Sequence, residues 1–287
     1  MWIIFAFGSA AFAGLTAILA KIGLKQVDSD LATALRTIVV LVFAWLMAFL
    51  TAGVPDLGAI SPKTYLFLVL SGLATGASWI CYFKALQMGD VNKVAPIDKS
   101  SILLTMLLGF LLLGESLSWG KVGCMALIGV GTFLMIEKKE SVIPQPKGHG
   151  WMFYAVLSAV FAALTTILGK VGVENIDSNL GTALRTVVVL VMAWAIVLAK
   201  GKQKGIAWID GKSWLFLVLS GVATGLSWLC YYRALQMGDA SLVAPIDKLS
   251  ILFTVAFSGI FLKERLSAKS GGGLALLTAG TLLLLVA

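Results

Sequence analysis

Apolar positions along this chain gather into long unbroken runs separated by short polar connections. Ten such runs fall at about residues 2–20, 30–52, 64–86, 94–113, 119–136, 151–169, 179–199, 213–235, 243–262 and 270–286. Crossing a hydrocarbon layer about 30 Å thick takes roughly 20 helical residues. The runs are continuously apolar rather than alternating, which predicts helices and not barrel strands. Turn formers mark the connections, as at Gly89-Asp90 and Gly238-Asp239. The pattern predicts an all-α integral membrane protein of about ten transmembrane helices. The first run, MWIIFAFGSAAFAGLTAILAK, has no basic region ahead of it and no small-residue cleavage site, so it reads as a retained helix and not a signal peptide.

The pattern also repeats. A shift of 149 residues aligns Trp2–Ile136 with Trp151–Leu285 without a gap, with roughly half the positions identical. FLVLSGLATGASWICYFKALQMGD matches FLVLSGVATGLSWLCYYRALQMGD, ALRTIVVLVFAW matches ALRTVVVLVMAW, and VAPIDKSSILLT matches VAPIDKLSILFT. The organisation predicted is a five-helix repeat over 1–136, a linker over 137–150 and a second five-helix repeat over 151–287. Five is odd, so the second repeat must start on the opposite side of the membrane, making the repeats inverted, as in many secondary transporters. The linker's prolines and lysines suit a solvated connection, and its lone His149 reads as a surface residue.

Composition narrows the class further. Apolar residues make up 59% of the chain and charged residues 13%, against roughly a quarter charged in a soluble domain. The net charge of +8 is no nucleic-acid footprint, because the basic residues sit mostly between apolar runs. Fourteen of them, among them Lys21, Lys25, Lys138, Lys200 and Lys202, fall on one predicted side, against only Lys63, Lys121, Lys170 and Arg233 on the other. Positive charge concentrates in the cytoplasm, which predicts a multi-pass protein of the inner (cytoplasmic) membrane with both termini outside the cytoplasm. Cys81, Cys124 and Cys230 all lie inside apolar runs without metal-ligand spacing and read as small buried hydrophobes. Nothing implies a metal or cofactor.

Ionisable residues within a span are costly and usually face a cavity or a partner. Foremost are Asp98-Lys99 and Asp247-Lys248, in the fourth and ninth predicted helices, with Pro96 and Pro245 just before them. A proline frees a carbonyl about a turn earlier, so a kink is expected there. Neighbours on a helix point about 100 degrees apart, so each acid and base needs a partner beyond the other. They read either as static ion pairs or as a pathway in which the aspartates carry protons and the lysines meet an anionic group of a cargo. Arg36 and Arg185, two turns into their helices, are candidates for clamping a carboxylate or phosphate, or for snorkelling. Trp79 with Tyr82, and Trp228 with Tyr231, are three apart and share a face, suited to a cationic or flat cargo or to a membrane interface. Gly72/Gly76 and Gly221/Gly225 are small-xxx-small packing pairs. Glu115 and Glu264, at the ends of the fourth and ninth helices, are expected to face water.

Each repeat resembles the EamA unit of the drug/metabolite transporter superfamily. The likeness rests on ALRT early in the second helix, a glycine-rich third helix ending YFKALQMGD or YYRALQMGD, and GES or KER closing the fourth. The resemblance implies a ten-helix transporter of small metabolites with a cavity lined by the first, third and fourth helices of each unit. It also implies both termini in the cytoplasm, opposite to the charge count. VAPIDK departs from the pattern, since the typical unit is apolar there. Near-identity of the copies fits a recent duplication, a fusion of single units, or an engineered sequence.

The leading functional expectation is a secondary active transporter of a small polar or amphipathic metabolite, working by alternating access and with the aspartates as candidate proton carriers. A lipid-headgroup flippase, and a non-transporting scaffold or designed fold, are the alternatives. An enzyme is not expected, for the sequence holds no Ser/His/Asp or Cys/His set and no metal-ligand cluster. The partners implied are the lipid bilayer and a small-molecule substrate, with a homodimer left open.

Overall fold

The computed structural model describes residues 1–23, 27–88, 94, 97–135, 150–257, 260 and 267–287. Eleven helices are described: α1 (Trp2–Gly23), α2 (Ser29–Ala52), α3 (Pro62–Met88), α4 (Ser101–Leu112), α5 (Trp119–Leu134), α6 (Gly150–Val173), α7 (Ser178–Ala199), α8 (Gly211–Met237), α9 (Ala240–Lys248), α10 (Ser250–Phe257) and α11 (Ala268–Leu283). Short 3-10 turns lie at Leu57–Ala59 and Lys202–Trp208, and there is no strand among the described residues.

Local sequence sets the helix starts, and the repeat carries them twice. Asp28 accepts from the Asp30 and Leu31 amides at the head of α2, and Asp177 accepts from Asn179 and Leu180 at the head of α7. Ser118 accepts from the Lys121 amide to cap α5, as Ser267 accepts from Ser270 to cap α11. Each short polar side chain satisfies amides that have no partner within the helix.

Seven helical stretches are long and apolar enough to cross a membrane: Trp2–Ala20, Ser29–Ala52, Pro62–Ala85, Gly150–Val173, Ser178–Ala199, Gly211–Met237 and Ala240–Phe257. Trp119–Leu134 is a shorter apolar helix. At 1.5 Å per residue, its 16 residues rise only about 24 Å. The predicted runs at 94–113 and 270–286 correspond to a helical stretch including Ile97–Lys99 and α4, and to α11. The chain is a multi-pass, all-helical membrane protein.

Contacts gather the chain into two compact units that take helices from both sequence repeats. One comprises Met1–Leu73, Leu168–Gly238 and Ser250–Glu264, the other Ala74–Ile167, Asp239–Leu249 and Arg265–Ala287.

In the first unit α1 packs on α8 and α10, and α2 packs on α7 and α8. Lys200 just beyond α7 reaches Asp30 at the start of α2 (2.8 Å), while Asn179 at the start of α7 donates to Thr51 at the end of α2 (3.0 Å). These repeat-equivalent helices therefore run antiparallel. Close approach needs glycine. A Cβ on Gly221 would stand 2.7 Å from the Val39 Cβ, and one on Gly72 2.7 Å from the Val188 Cβ. The packing role expected for both is met at contacts equivalent under the 149-residue shift.

In the second unit α5 and α11, again equivalent, also run antiparallel. Ser118 donates to the Ala287 carbonyl (3.0 Å) and Ser270 to that of Met135 (3.3 Å). Gly131 and Gly280 lie at their crossing, where added Cβ atoms would meet the Leu277 amide at 2.5 Å and the Leu127 Cβ at 2.9 Å. Cys124 is buried in a cluster with Ile102, Met106, Ile128 and Leu284, the small-hydrophobe role expected for it.

Candidate functional site

The polar centre of the second unit is built around two broken helices. α9 carries Pro245 inside it and ends at Lys248; the Leu249 amide then bonds the Ile246 carbonyl (2.9 Å) in a tighter turn before α10 begins. The fourth predicted helix breaks at the equivalent place. The Ser100 amide bonds the Ile97 carbonyl (3.1 Å), and its hydroxyl bonds the same carbonyl (2.6 Å), before α4 starts at Ser101. Each break falls directly behind an acid–base dipeptide, Asp98-Lys99 or Asp247-Lys248. α9 runs on through Pro245, whose missing amide and ring act on the turn before it, so the break four residues further along is not the proline's effect. Pro96 lies outside the described residues, as do His149 and Glu264.

α4 and α9 pack against each other, which brings both dipeptides into one unit. Asp98 accepts from the Ser158 hydroxyl on α6 (2.9 Å), and Ser158 in turn lies 3.3 Å from the Ser78 hydroxyl on α3. Lys99 is exposed, while Asp98, Asp247 and Lys248 are half-buried. Lys99 lies within electrostatic range of both Lys248 and Asp98, and Tyr82 within range of Asp98. Tyr82 packs against a cluster of Ala85, Val94 and Ala155, and Trp79 is half-buried on the same helix.

Glu115 does not face water. It sits half-buried behind Gly114, whose φ of 67° turns the chain back over the end of α4. Its Oε1 accepts from the Ala240 amide (2.6 Å) and its Oε2 from the Ser241 amide (2.9 Å), at the head of α9. A carboxylate satisfies orphan amides and complements the helix dipole there. Gly109 permits this, for a Cβ on it would lie 2.6 Å from Oε2. The signal was present in the sequence as Gly114-Glu115, but its partner is 125 residues away.

The remaining candidates lie in the first unit. Arg185 is 2% exposed; its Nε donates to Ser71 (2.9 Å), and its guanidinium lies 5.2 Å from the Trp228 ring and 4.9 Å from that of Tyr232. The ring that joins Trp228 is thus Tyr232, four residues on and not singled out from sequence, with Tyr231 edge-on to it at 5.6 Å. Arg36 reaches across to α8 and donates to Thr224 (2.8 Å), while its Nε is buried without a partner among the described residues. The Ser78–Ser158 pair has its equivalent in Ser227 and Ser9, 3.2 Å apart.

Among the described residues no cluster of His, Cys, Asp and Glu could hold a metal ion. The arrangement is that of a polytopic membrane protein with polar groups held at two interrupted helices. The sequence profile of the EamA-like transporter family matches residues 1–137 and 149–286. The chain belongs to that family and is a membrane transporter. An uncharacterized transporter in the cobO 3' region of Sinorhizobium sp is 52% identical over 138 residues, 48% of this chain and 98% of its own length. The uncharacterized transporter YxxF of Bacillus subtilis (strain 168) is 25% identical over 224 residues, 76% of this chain and 70% of its own. A protein crystal structure at 17% identity shares the fold with a TM-score of 0.79, covering 98% of this chain and 95% of that one.

Proposed function

We propose that this chain is a secondary active transporter of a small polar or amphipathic metabolite, working by alternating access and coupled to protons through Asp98 and Asp247. The observation that carries this reading is the pair of helix breaks, one per repeat, each directly behind an acid–base dipeptide in an apolar span. Interrupted helices with ionisable groups at depth are what transporter sites are made of.

The ten-crossing inverted repeat, 1–136 and 151–287, is part of the proposal. Antiparallel pairing of the equivalent helices α2 with α7, and α5 with α11, supports it. The Sinorhizobium relative matches along nearly its whole length to about half of this chain. That supports a fusion or duplication of a unit that also exists singly. The charge bias supports an orientation in the inner membrane with both termini outside the cytoplasm. A cysteine at Lys202 then reacts only with reagent on the cytoplasmic side, and one at Ser118 only from the opposite side; the reverse result would invert the topology.

Uptake into proteoliposomes across an imposed pH gradient tests the mechanism, with a panel of amino acids, cations, organic acids and phosphorylated compounds. Wild type concentrates one class saturably, and Asp98→Asn or Asp247→Asn loses concentration while retaining exchange. Undiminished accumulation by both variants would remove proton coupling through these residues. A chain that moves no class saturably would overturn the transporter mechanism itself.

A further inference from the structure

Arg36 and Arg185 hold equivalent positions in the two repeats, yet their surroundings differ. Arg185 is fully engaged: it is 2% exposed, bonds Ser71 (2.9 Å) and lies over the rings of Trp228 and Tyr232. Arg36, in the first unit, is half-buried. Among the described residues its side chain makes one hydrogen bond, from Nη2 to the Thr224 hydroxyl (2.8 Å), and no ion pair. Its Nε is shut in with no acceptor, and Nη1 has none either. The acids at the head of its own helix, Asp28 and Asp30, are taken by Lys200 and Lys202.

The hydroxyls beside Arg36 show the same open valence. Thr224 passes its proton to the Ser220 carbonyl (2.7 Å), which leaves its oxygen to accept from Arg36. Thr16 on α1 stands 3.4 Å from that oxygen and has no other polar contact among the described residues. Its repeat equivalent, Thr165, instead donates to the Phe161 carbonyl of its own helix (3.0 Å). Thr224 is the middle residue of the 27-residue α8, so the guanidinium is drawn into the span and does not reach for an interface as a snorkelling arginine would.

A positive charge inside an apolar span is unfavourable and is ordinarily matched by a partner. Here three helices of the first unit present one unmatched charge, an uncommitted Nη1 and an uncommitted hydroxyl. One singly charged anion with two acceptor oxygens meets all three. A carboxylate has that form, and charge-assisted bonds from a guanidinium are its usual match. A phosphate monoester, at about −1.5 to −2, brings a charge that one arginine does not balance.

We propose that Arg36, with Thr16 and Thr224, is a receptor for a single carboxylate on the transported substrate. The inference rests on the transporter reading for the fate of the ligand and not for its binding. A soluble carboxylic acid and a fatty acid in the bilayer offer the same group.

Thermal unfolding of the full chain in detergent at pH 8 tests binding, with sodium lactate against sodium chloride at matched ionic strength. Nanodiscs with oleate in place of part of the phosphatidylcholine form the lipid arm. A ligand that binds only the folded state raises its melting temperature. Lactate or oleate is expected to do so saturably, and chloride is not; stabilisation in one arm alone assigns the source of the carboxylate. Arg36→Gln is expected to weaken the apparent affinity about tenfold or more, as a lost charge-assisted bond implies. Thr16→Asp supplies a carboxylate from within, so without ligand it should melt higher than wild type, and it should lose the ligand effect. The neutral Thr16→Asn should not melt higher.

Equal stabilisation by chloride, no effect in either arm, or a carboxylate effect that survives Arg36→Gln or Thr16→Asp would overturn the assignment. So would a Thr16→Asp chain that melts no higher than Thr16→Asn. Saturable uptake of a class without a carboxylate would then leave the transporter reading standing, whereas carboxylate binding without any uptake would retain this inference and remove that reading.

Discussion

Removing the Glu115 carboxylate should destabilise the protein measurably, and the size can be worked from its geometry. Its two oxygens accept from the amides of Ala240 and Ser241 at 2.6 and 2.9 Å, and both residues are 0% exposed. Glu115→Ala leaves two buried amides without this acceptor. Each unsatisfied group costs about 1–3 kcal/mol, and the lost interaction with the helix N-terminus adds about 0.3–1 kcal/mol. The expected loss is about 3 kcal/mol, with Glu115→Gln near half of that because its amide oxygen still accepts. Gly109→Ala attacks the same contact from behind, since its new Cβ would displace Oε2 from 2.6 Å. Reversible unfolding in detergent of wild type, both single variants and the Gly109→Ala/Glu115→Ala double variant gives a complete cycle. The single losses should fail to add by about 1 kcal/mol or more, because the alanine at 109 has nothing to displace once the carboxylate is gone. A Glu115→Ala variant within about 0.5 kcal/mol of wild type, the usual size of an unremarkable surface change, would refute the capping role.

Other contacts make further predictions. Gly72→Ala and Gly221→Ala each bring a Cβ within 2.7 Å of a valine Cβ and should each cost about 1–3 kcal/mol; unequal losses in thermal unfolding would contradict the equivalence of the two contacts. Arg185→Lys keeps the charge but loses the planar face over Trp228 and Tyr232, and should cost about 1–2 kcal/mol, read by unfolding and by quenching of Trp228 fluorescence. Burial by itself would lower the pKa of Lys202, but hydrogen bonds to Asp28 and Asp30 outweigh it and hold the ammonium above its ordinary 10.5. Its contribution is therefore full below pH 10.5 and lost as pH rises through the raised value, so Lys202→Met should flatten the alkaline limb of the stability profile. At the head of α8, hydrogen bonds from Ser213 lower the Asp210 pKa below its ordinary 3.8. That stabilisation is present above pH 3.8 and lost as pH falls through the lowered value, and Asp210→Ala should remove it from the acid limb.

What the sequence alone determined about this protein is what depends on neighbours along the chain. Unbroken apolar runs specify helices in lipid, where backbone groups must be satisfied within the segment, and seven stretches meet that description by length. Short-range chemistry also read through: Asp28, Asp177, Ser118 and Ser267 cap the helices that follow them. Tertiary structure alone decided which faces meet. In a span apolar on every side, periodicity carries little information about rotation, since lipid tails are as apolar as leucine. Hence Tyr232, not its neighbour, joins Trp228 over Arg185. Asp98 finds a serine 60 residues away, and Glu115, which looks like a water-facing turn residue, closes the head of a helix from the other repeat. The compact units likewise cut across the sequence repeats, because packing pairs each helix with partners that the order of the chain does not specify.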